Sequence, residues 1–261
     1  MRTGKEKLDQ PTRLMKMKIP VGTKAMIFAA GLGTRLKPFT DHHPKALAPV
    51  NSKPILQRNI EYFASYGIRD MIVNVHHFAD QITDMLIDNN NFGCNITISH
   101  EVDEPLETGG GLKKAAWYFD GKELPFFVMN ADILTNLNLE DLYGFHKEKN
   151  GLATLAVTNR KSSRSFLFNQ DDVLCGWENN QTGVQKISKP DHLTHPAAFT
   201  CVHLIETSML KMIQQEGKFS IIDTYLDIAR SNDIFGFDHS NDIVVDVGKP
   251  ESILLAEKYF Q

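Results

Sequence analysis

The sequence predicts an α/β protein, a three-layer α/β/α sandwich around a Rossmann-like mixed sheet, and three observations carry that reading. Short apolar runs with strand character alternate with segments of helical periodicity through the first half of the chain. The chain has 261 residues, 42% of them hydrophobic, enough to bury one large core. A glycine-rich turn directly follows the first apolar run, at the strand end where open α/β sheets place ligands.

Residues 24–30 are continuously apolar and read as a buried strand, and Pro54 suits the start of a helix that ends near Gly67. Residues 70–75 form a second strand. A helix over 79–88 follows, with Ile82, Met85 and Leu86 at helical spacing, and residues 94–99 alternate like a strand. A helix over 109–119 and a strand over 125–130 continue the alternation. The second half is less regular, with strands around 152–159, 165–169, 173–177 and 198–205 between polar stretches. Helices over 208–215 and 221–230, a strand over 242–247 and a last helix over 251–260 complete the chain. Trp117 and Tyr118 read as core aromatics.

Residues 1–23 mix charge with Pro11 and Pro20 without periodicity and read as a mobile extension before a single domain over 24–261. Twenty-eight basic against 32 acidic residues give a net charge of -4 and no dense basic run, which argues against nucleic acid as a partner. Cys94, Cys175 and Cys201 lack disulfide or zinc spacing, the start is not a signal peptide, and no apolar run is long enough for a membrane span. These features point to a soluble cytoplasmic protein.

The chemistry is written most densely in Ala29-Ala30-Gly31-Leu32-Gly33-Thr34-Arg35, closed by Pro44-Lys45. Gly31 and Gly33 let backbone N–H groups approach phosphate oxygens and adopt positive φ where the turn needs it. Arg35 offers a planar fork for pyrophosphate, and Lys45 a compact charge for one phosphoryl group. Leu36 stands where a Rossmann fingerprint needs its third glycine, and no Gly-Lys-Ser/Thr follows, so neither dinucleotide nor Walker loop is present.

This ordered set resembles the signature of the sugar-1-phosphate nucleotidyltransferases, which make NDP-sugars and pyrophosphate from an NTP and a sugar 1-phosphate. The resemblance spans roughly residues 24–260 and implies the nucleotide-diphospho-sugar transferase fold, with a nucleotide-binding half (24–135) and a sugar-phosphate-binding half (136–261). It makes Arg35 and Lys45 the catalytic cations and Mg²⁺ the cofactor. Asp132 follows its strand at the ligand-bearing end and is the first metal candidate. Asp246, before Val247-Gly248-Lys249-Pro250, stands where relatives carry the second metal aspartate.

Glu107, Thr108 and Gly109 belong to a loop that in the family lies along base and ribose, and three successive glycines from Gly109 suggest close approach to a flat ligand. Glu101 is a carboxylate that can accept the imino proton of uracil or guanine. The string from Glu104 to Gly111 looks most like N-acetylmuramate α-1-phosphate uridylyltransferases of cell-wall recycling, as does Phe199-Thr200, with Cys201 replacing their glycine. UTP is the favoured nucleotide on that resemblance. Lys189, in Ser188-Lys189-Pro190, is the nearest match to the family's Glu-Lys-Pro and a candidate for the acceptor phosphate; Asn130 and Thr200 are candidates for sugar hydroxyls. The alternatives are a guanylyltransferase for mannose or heptose 1-phosphate and, from another class, a non-catalytic subunit that binds NDP-sugar.

Overall fold

A computed structural model describes residues 17–121 and 123–261. Strand β1 (Lys24–Phe28) sends Ala25 and Ile27 into one hydrophobic cluster and Met26 and Phe28 into another, and all four are buried. A strand apolar on both faces needs helices on both sides of its sheet. The chain supplies them.

After a small hairpin of β2 (Pro49–Val50) and β3 (Lys53–Pro54), α1 (Ile55–Ser65) leads to β4 (Asp70–Val75), α2 (Ala79–Asp88) and β5 (Asn95–His100). Then come α3 (Glu107–Lys114), β6 (Phe126–Asn130), β7 (Ile133–Thr135), α4 (Leu139–Lys149), β8 (Ala153–Thr158), β9 (Arg164–Phe168), β10 (Leu174–Asn179) and β11 (Gln185–Ile187). The chain closes with β12 (His195–Ile205), α5 (Thr207–Leu210), α6 (Ile221–Ala229), β13 (Ile234–Asp238), β14 (Val244–Asp246) and α7 (Pro250–Tyr259).

A ten-stranded sheet runs β11-β10-β9-β12-β6-β1-β4-β5, with β8 pairing β12 and β13 pairing β8. β6, β1, β4 and β5 are mutually parallel, whereas the long strand β12 is antiparallel to β6, β8 and β9 and joins the two halves of the sheet. Leu56, Ile60 and Phe63 of α1, Ile82 and Leu86 of α2 and Leu142 of α4 cover one face. Leu112 of α3 and Ile221, Tyr225 and Ile228 of α6 cover the other. This is the expected α/β/α sandwich.

Several local expectations change. The helix read over 109–119 begins at Glu107 and stops at Lys114, giving way to a 3₁₀ turn over Ala116–Phe119 that leaves Trp117 59% exposed rather than in the core. The helix read over 208–215 is the single turn α5. Residues beyond it are drawn across α3, where the Phe219 carbonyl accepts from the N–H groups of Gly109 (2.9 Å) and Gly110 (3.2 Å). Helix α4 and strand β13 lie in stretches to which the sequence assigns no element. Helix α4 is capped by the Asn138 side chain, which accepts from the Glu140 and Asp141 N–H groups. Residues 1–16 of the expected extension lie outside the described residues, while Ile19 already packs on the core and Thr23 is buried.

Candidate active site

The C-terminal ends of β1, β4 and β6 open onto a cavity of about 400 Å³. The turn after β1 forms one wall. Leu36 anchors it, buried in a third cluster with Val245, Val247 and Ala256 of α7. Gly33 adopts φ +63°, and a Cβ there would lie 2.7 Å from the Lys45 Cβ and 2.9 Å from the Thr40 Cγ2. Glycine is therefore required for conformation and for room, because the chain carrying Lys45 folds directly over it. Gly31 is different: nothing lies within 4 Å of its would-be Cβ.

Ala29, Ala30, Gly31, Leu32, Gly33, Thr34, Lys45, Glu107, Thr108, Asn130 and Asp132 all line the cavity. Asn74 and Lys218 line it too and were missed in the sequence. Asn74 is buried at the end of β4; its Oδ1 accepts from the Ala29 N–H at 2.8 Å and its Nδ2 donates to Glu101 Oε1 at 2.6 Å. A polar residue inside an otherwise apolar strand is the signal that exposes it in retrospect.

Of the four expected charged groups, Lys45 and Asp132 line the cavity, whereas Arg35 and Asp246 lie beside it, outside its lining. Lys45 Nζ forms an ion pair with Asp132, both side chains largely buried. Asp246 registers with Ile133 in the β14–β7 pair, and the Val247 N–H donates to the Asp132 carbonyl at 2.8 Å, so the two aspartates stand on neighbouring strands. Gly248 lies beneath the last member: a Cβ there would meet Asp246 Oδ1 at 2.7 Å and Arg35 Nη2 at 3.0 Å. Arg35, Lys45, Asp132 and Asp246 thus converge. The Cys201 thiol reports the same crowding, since burial first, then Asp132 and Asp246, push it up to about 12, while Arg160 and Lys45 act in the opposite direction. Cys201 holds φ +60° in an irregularity of β12, beside the end of β6. The glycine expected at this position would adopt that angle without strain.

Four expected site residues lie elsewhere. Glu101 is 1% exposed, with Oε1 bound to Asn74 and Oε2 accepting from the Leu106 N–H at 2.7 Å, so its carboxylate braces the 101–106 loop instead of facing a base. Gly109 is buried under Phe219, whose ring would be 2.4 Å from a Cβ. A Cβ on Gly110 would meet the Gly217 carbonyl at 2.2 Å, and one on Gly111 the Glu101 Oε1 at 2.7 Å. The glycine run therefore admits neighbouring chain, not ligand. Thr200 is buried, its hydroxyl donating to the Ala156 carbonyl at 2.8 Å and lying 2.9 Å from His239 Nε2.

Lys189 is at the wrong edge of the sheet. Its ammonium donates to the Asn232 carbonyl at 2.8 Å and to Asp233 Oδ1 at 2.5 Å. Asp233 precedes β13, whose Ile234 registers with Ala153, Ala153 with Ile205, and Ile205 with Phe126. Phe126 opens β6, and Asp132 lies past its other end.

The sequence matches the family model for nucleotidyl transferases over residues 24–260. It is 28% identical to a mannose-1-phosphate guanyltransferase of Gibberella zeae over 88% of this chain and 62% of that protein. It is 26% identical to a mannose-1-phosphate guanylyltransferase catalytic subunit beta of Drosophila pseudoobscura pseudoobscura over 89% of this chain and 61% of that protein, so it spans about three fifths of these relatives. Among solved structures, HddC from Yersinia pseudotuberculosis complexed with GMP-PN superposes with TM-score 0.71 at 24% identity, covering 92% of this chain and 100% of that one. UTP-bound UGPase from Acinetobacter baumannii does so with TM-score 0.71 at 14% identity, covering 91% of this chain and 93% of that one. These last two share the fold. With the family match covering every element from β1 through α7, the chain belongs to the nucleotidyl transferase family.

Proposed function

We propose that this protein transfers a guanylyl group from GTP to a sugar 1-phosphate, mannose 1-phosphate foremost, releasing pyrophosphate. The observation that carries the reaction class is that Lys45 and Asp132 line a cavity walled by the glycine turn, with Arg35 and Asp246 close beside them on adjoining chain. The relatives named above favour guanylyl transfer to mannose 1-phosphate over the uridylyl transfer to N-acetylmuramate 1-phosphate suggested by the Glu104–Gly111 string.

In this reading a phosphate oxygen of the acceptor attacks the α-phosphorus, the α–β bridging bond breaks, and its electrons leave with pyrophosphate. Lys45 neutralises the α-phosphate and Arg35 the departing group. The acceptor is already an anion, so positioning and fixed positive charge carry the reaction without a covalent protein intermediate. Asp132 and Asp246 offer hard carboxylate oxygens from neighbouring strands, a donor set that fits Mg²⁺, which would supply further charge neutralisation on phosphate oxygens. Glu107, exposed on the cavity and held at φ +60°, replaces Glu101 as the carboxylate for the base. A carboxylate can accept both adjacent N–H groups of guanine, whereas uracil presents one.

The nucleotide belongs to the 24–135 half, which supplies the cavity lining apart from Lys218. The acceptor belongs to 136–261. Pyrophosphate release measured for GTP and UTP across mannose, heptose and N-acetylmuramate 1-phosphates tests the reading. GTP with mannose 1-phosphate should be fastest, and Asp246→Asn should reduce its rate by about a hundredfold or more. Release only with UTP and N-acetylmuramate 1-phosphate would restore the uridylyl reading; no release with any pair would indicate a binding subunit.

A further inference from the structure

A second cleft of about 350 Å³ adjoins the nucleotide cavity and is lined by Arg35, Arg160, Asp246, Lys249 and Ser252. Three cations face one carboxylate there, in a chain of net charge -4. Among the described residues Arg35, Arg160 and Lys249 have no ion-pair partner, and the one hydrogen bond among their side chains runs from Arg160 Nη2 to the Phe199 carbonyl at 3.3 Å. Unpaired positive charge gathered in a concave site is a receptor for an anion.

The sheet places this cleft correctly for the reaction. β8 and β6 are both antiparallel to β12, so they run in the same direction and their C-terminal ends share an edge. Asp132 follows one of these ends and Arg160 the other. Lys189, expected to hold the acceptor phosphate, is tied to Asp233 at the opposite edge, so the 136–261 half needs another cation on the Asp132 side. Arg160 is there, and a guanidinium fork suits phosphate better than an ammonium does.

We propose that Arg160 and Lys249, beside Arg35, bind a phosphoryl group outside the nucleotide cavity and make Arg160 a substrate-contacting residue of the transfer. The chemistry fits two sources, the phosphate of the acceptor sugar and the departing pyrophosphate. The inference rests on the proposed function, and its test separates the two.

Arg160→Gln, Arg160→Lys and Lys249→Gln are compared with wild type, varying sugar 1-phosphate at saturating NTP, varying NTP at saturating acceptor, and titrating pyrophosphate as product inhibitor. Loss of a charge-assisted phosphate contact should raise the affected constant about tenfold or more in both Gln variants, and Arg160→Lys should recover part of it. A raised KM for the sugar phosphate, with that for NTP unchanged, identifies the acceptor; a raised inhibition constant for pyrophosphate identifies the leaving group. Unchanged constants for both ligands, or equal losses in kcat with no change in either constant, would overturn the proposal. Lys249→Gln covers the case in which loss of the Phe199 contact unfolds the Arg160 variants. Should wild type release no pyrophosphate with any substrate pair, the functional reading fails on its own. The cleft is then tested by calorimetric binding of inorganic pyrophosphate, which wild type should show and both Gln variants should weaken; no binding to wild type would overturn it.

Discussion

Gly31, Gly33 and Gly109 are indistinguishable as letters, and the structure gives each a different physical task. Gly33 must turn left-handed beneath Lys45, Gly109 must let Phe219 close down, and Gly31 meets no neighbouring atom at all. Alanine at position 109 forces a Cβ to 2.4 Å from the Phe219 ring and 2.9 Å from its carbonyl oxygen. Gly109→Ala should therefore destabilise the protein by about 1–3 kcal/mol in urea unfolding, the range for overpacking. Gly31→Ala should stay within about 0.5 kcal/mol of wild type, as for a surface site, while weakening nucleotide binding. Equal destabilisation by the two would show that packing does not discriminate them. Glu101 and Glu107 make the same point with charge. The sequence offers both as base partners, and burial and two hydrogen bonds, from Asn74 Nδ2 and the Leu106 N–H, remove Glu101 from the cavity.

At the scale of elements, β4 ends in a clamp rather than a ligand. Asn74 ties the first residue of the glycine turn to the carboxylate that braces the approach to α3, so one side chain coordinates two walls of the cavity. Asn74→Ala leaves a Glu101 oxygen without its donor and the Ala29 N–H with only the backbone carbonyl of residue 74, at 3.2 Å. The expected cost is about 1–3 kcal/mol of stability, accompanied by a raised KM for the nucleotide but not for the acceptor. Calorimetric melting with two-substrate kinetics checks both, and a change confined to the acceptor would refute the clamp. Helix α2 and strand β4 are legible in the sequence because helical spacing and a nearly continuous apolar run announce them. Helix α5 ends after one turn because the following chain is recruited to α3, a tertiary demand that local spacing cannot contain.

For the whole molecule, β12 is the spine, crossing from β9 to β6 and carrying a buried imidazole near its C-terminal end. Desolvation pushes His203 down from 6.5 to about 3; its Nδ1 meets the Tyr225 hydroxyl at 2.5 Å and its Nε2 has no partner among the described residues. Because the unfolded chain takes the proton first, this contribution is present above about pH 6.5 and is lost progressively as pH falls toward 3. Burial shifts His239 in the same direction, opposed by Asp242. Stability from chemical denaturation should drop by up to about 1.4 kcal/mol per pH unit for His203 within that window. His203→Gln should flatten the profile; an acid dependence parallel to wild type would show that the protons are taken up elsewhere.

The sequence by itself determined the layered α/β class and the glycine turn, and its resemblance to the nucleotidyltransferases singled out Arg35, Lys45, Asp132 and Asp246 as candidates. The class and the turn are announced locally, by apolar periodicity and by residues with unusual backbone freedom. Tertiary structure alone decided which groups share a cavity. Lys189 and Arg160 are both cations of the second half, yet the registers from β13 through β8 and β12 to β6 carry one to the far edge and leave the other beside Asp246. A strand's direction within its sheet selects the edge at which its end emerges, and pairing between residues distant in sequence sets that direction.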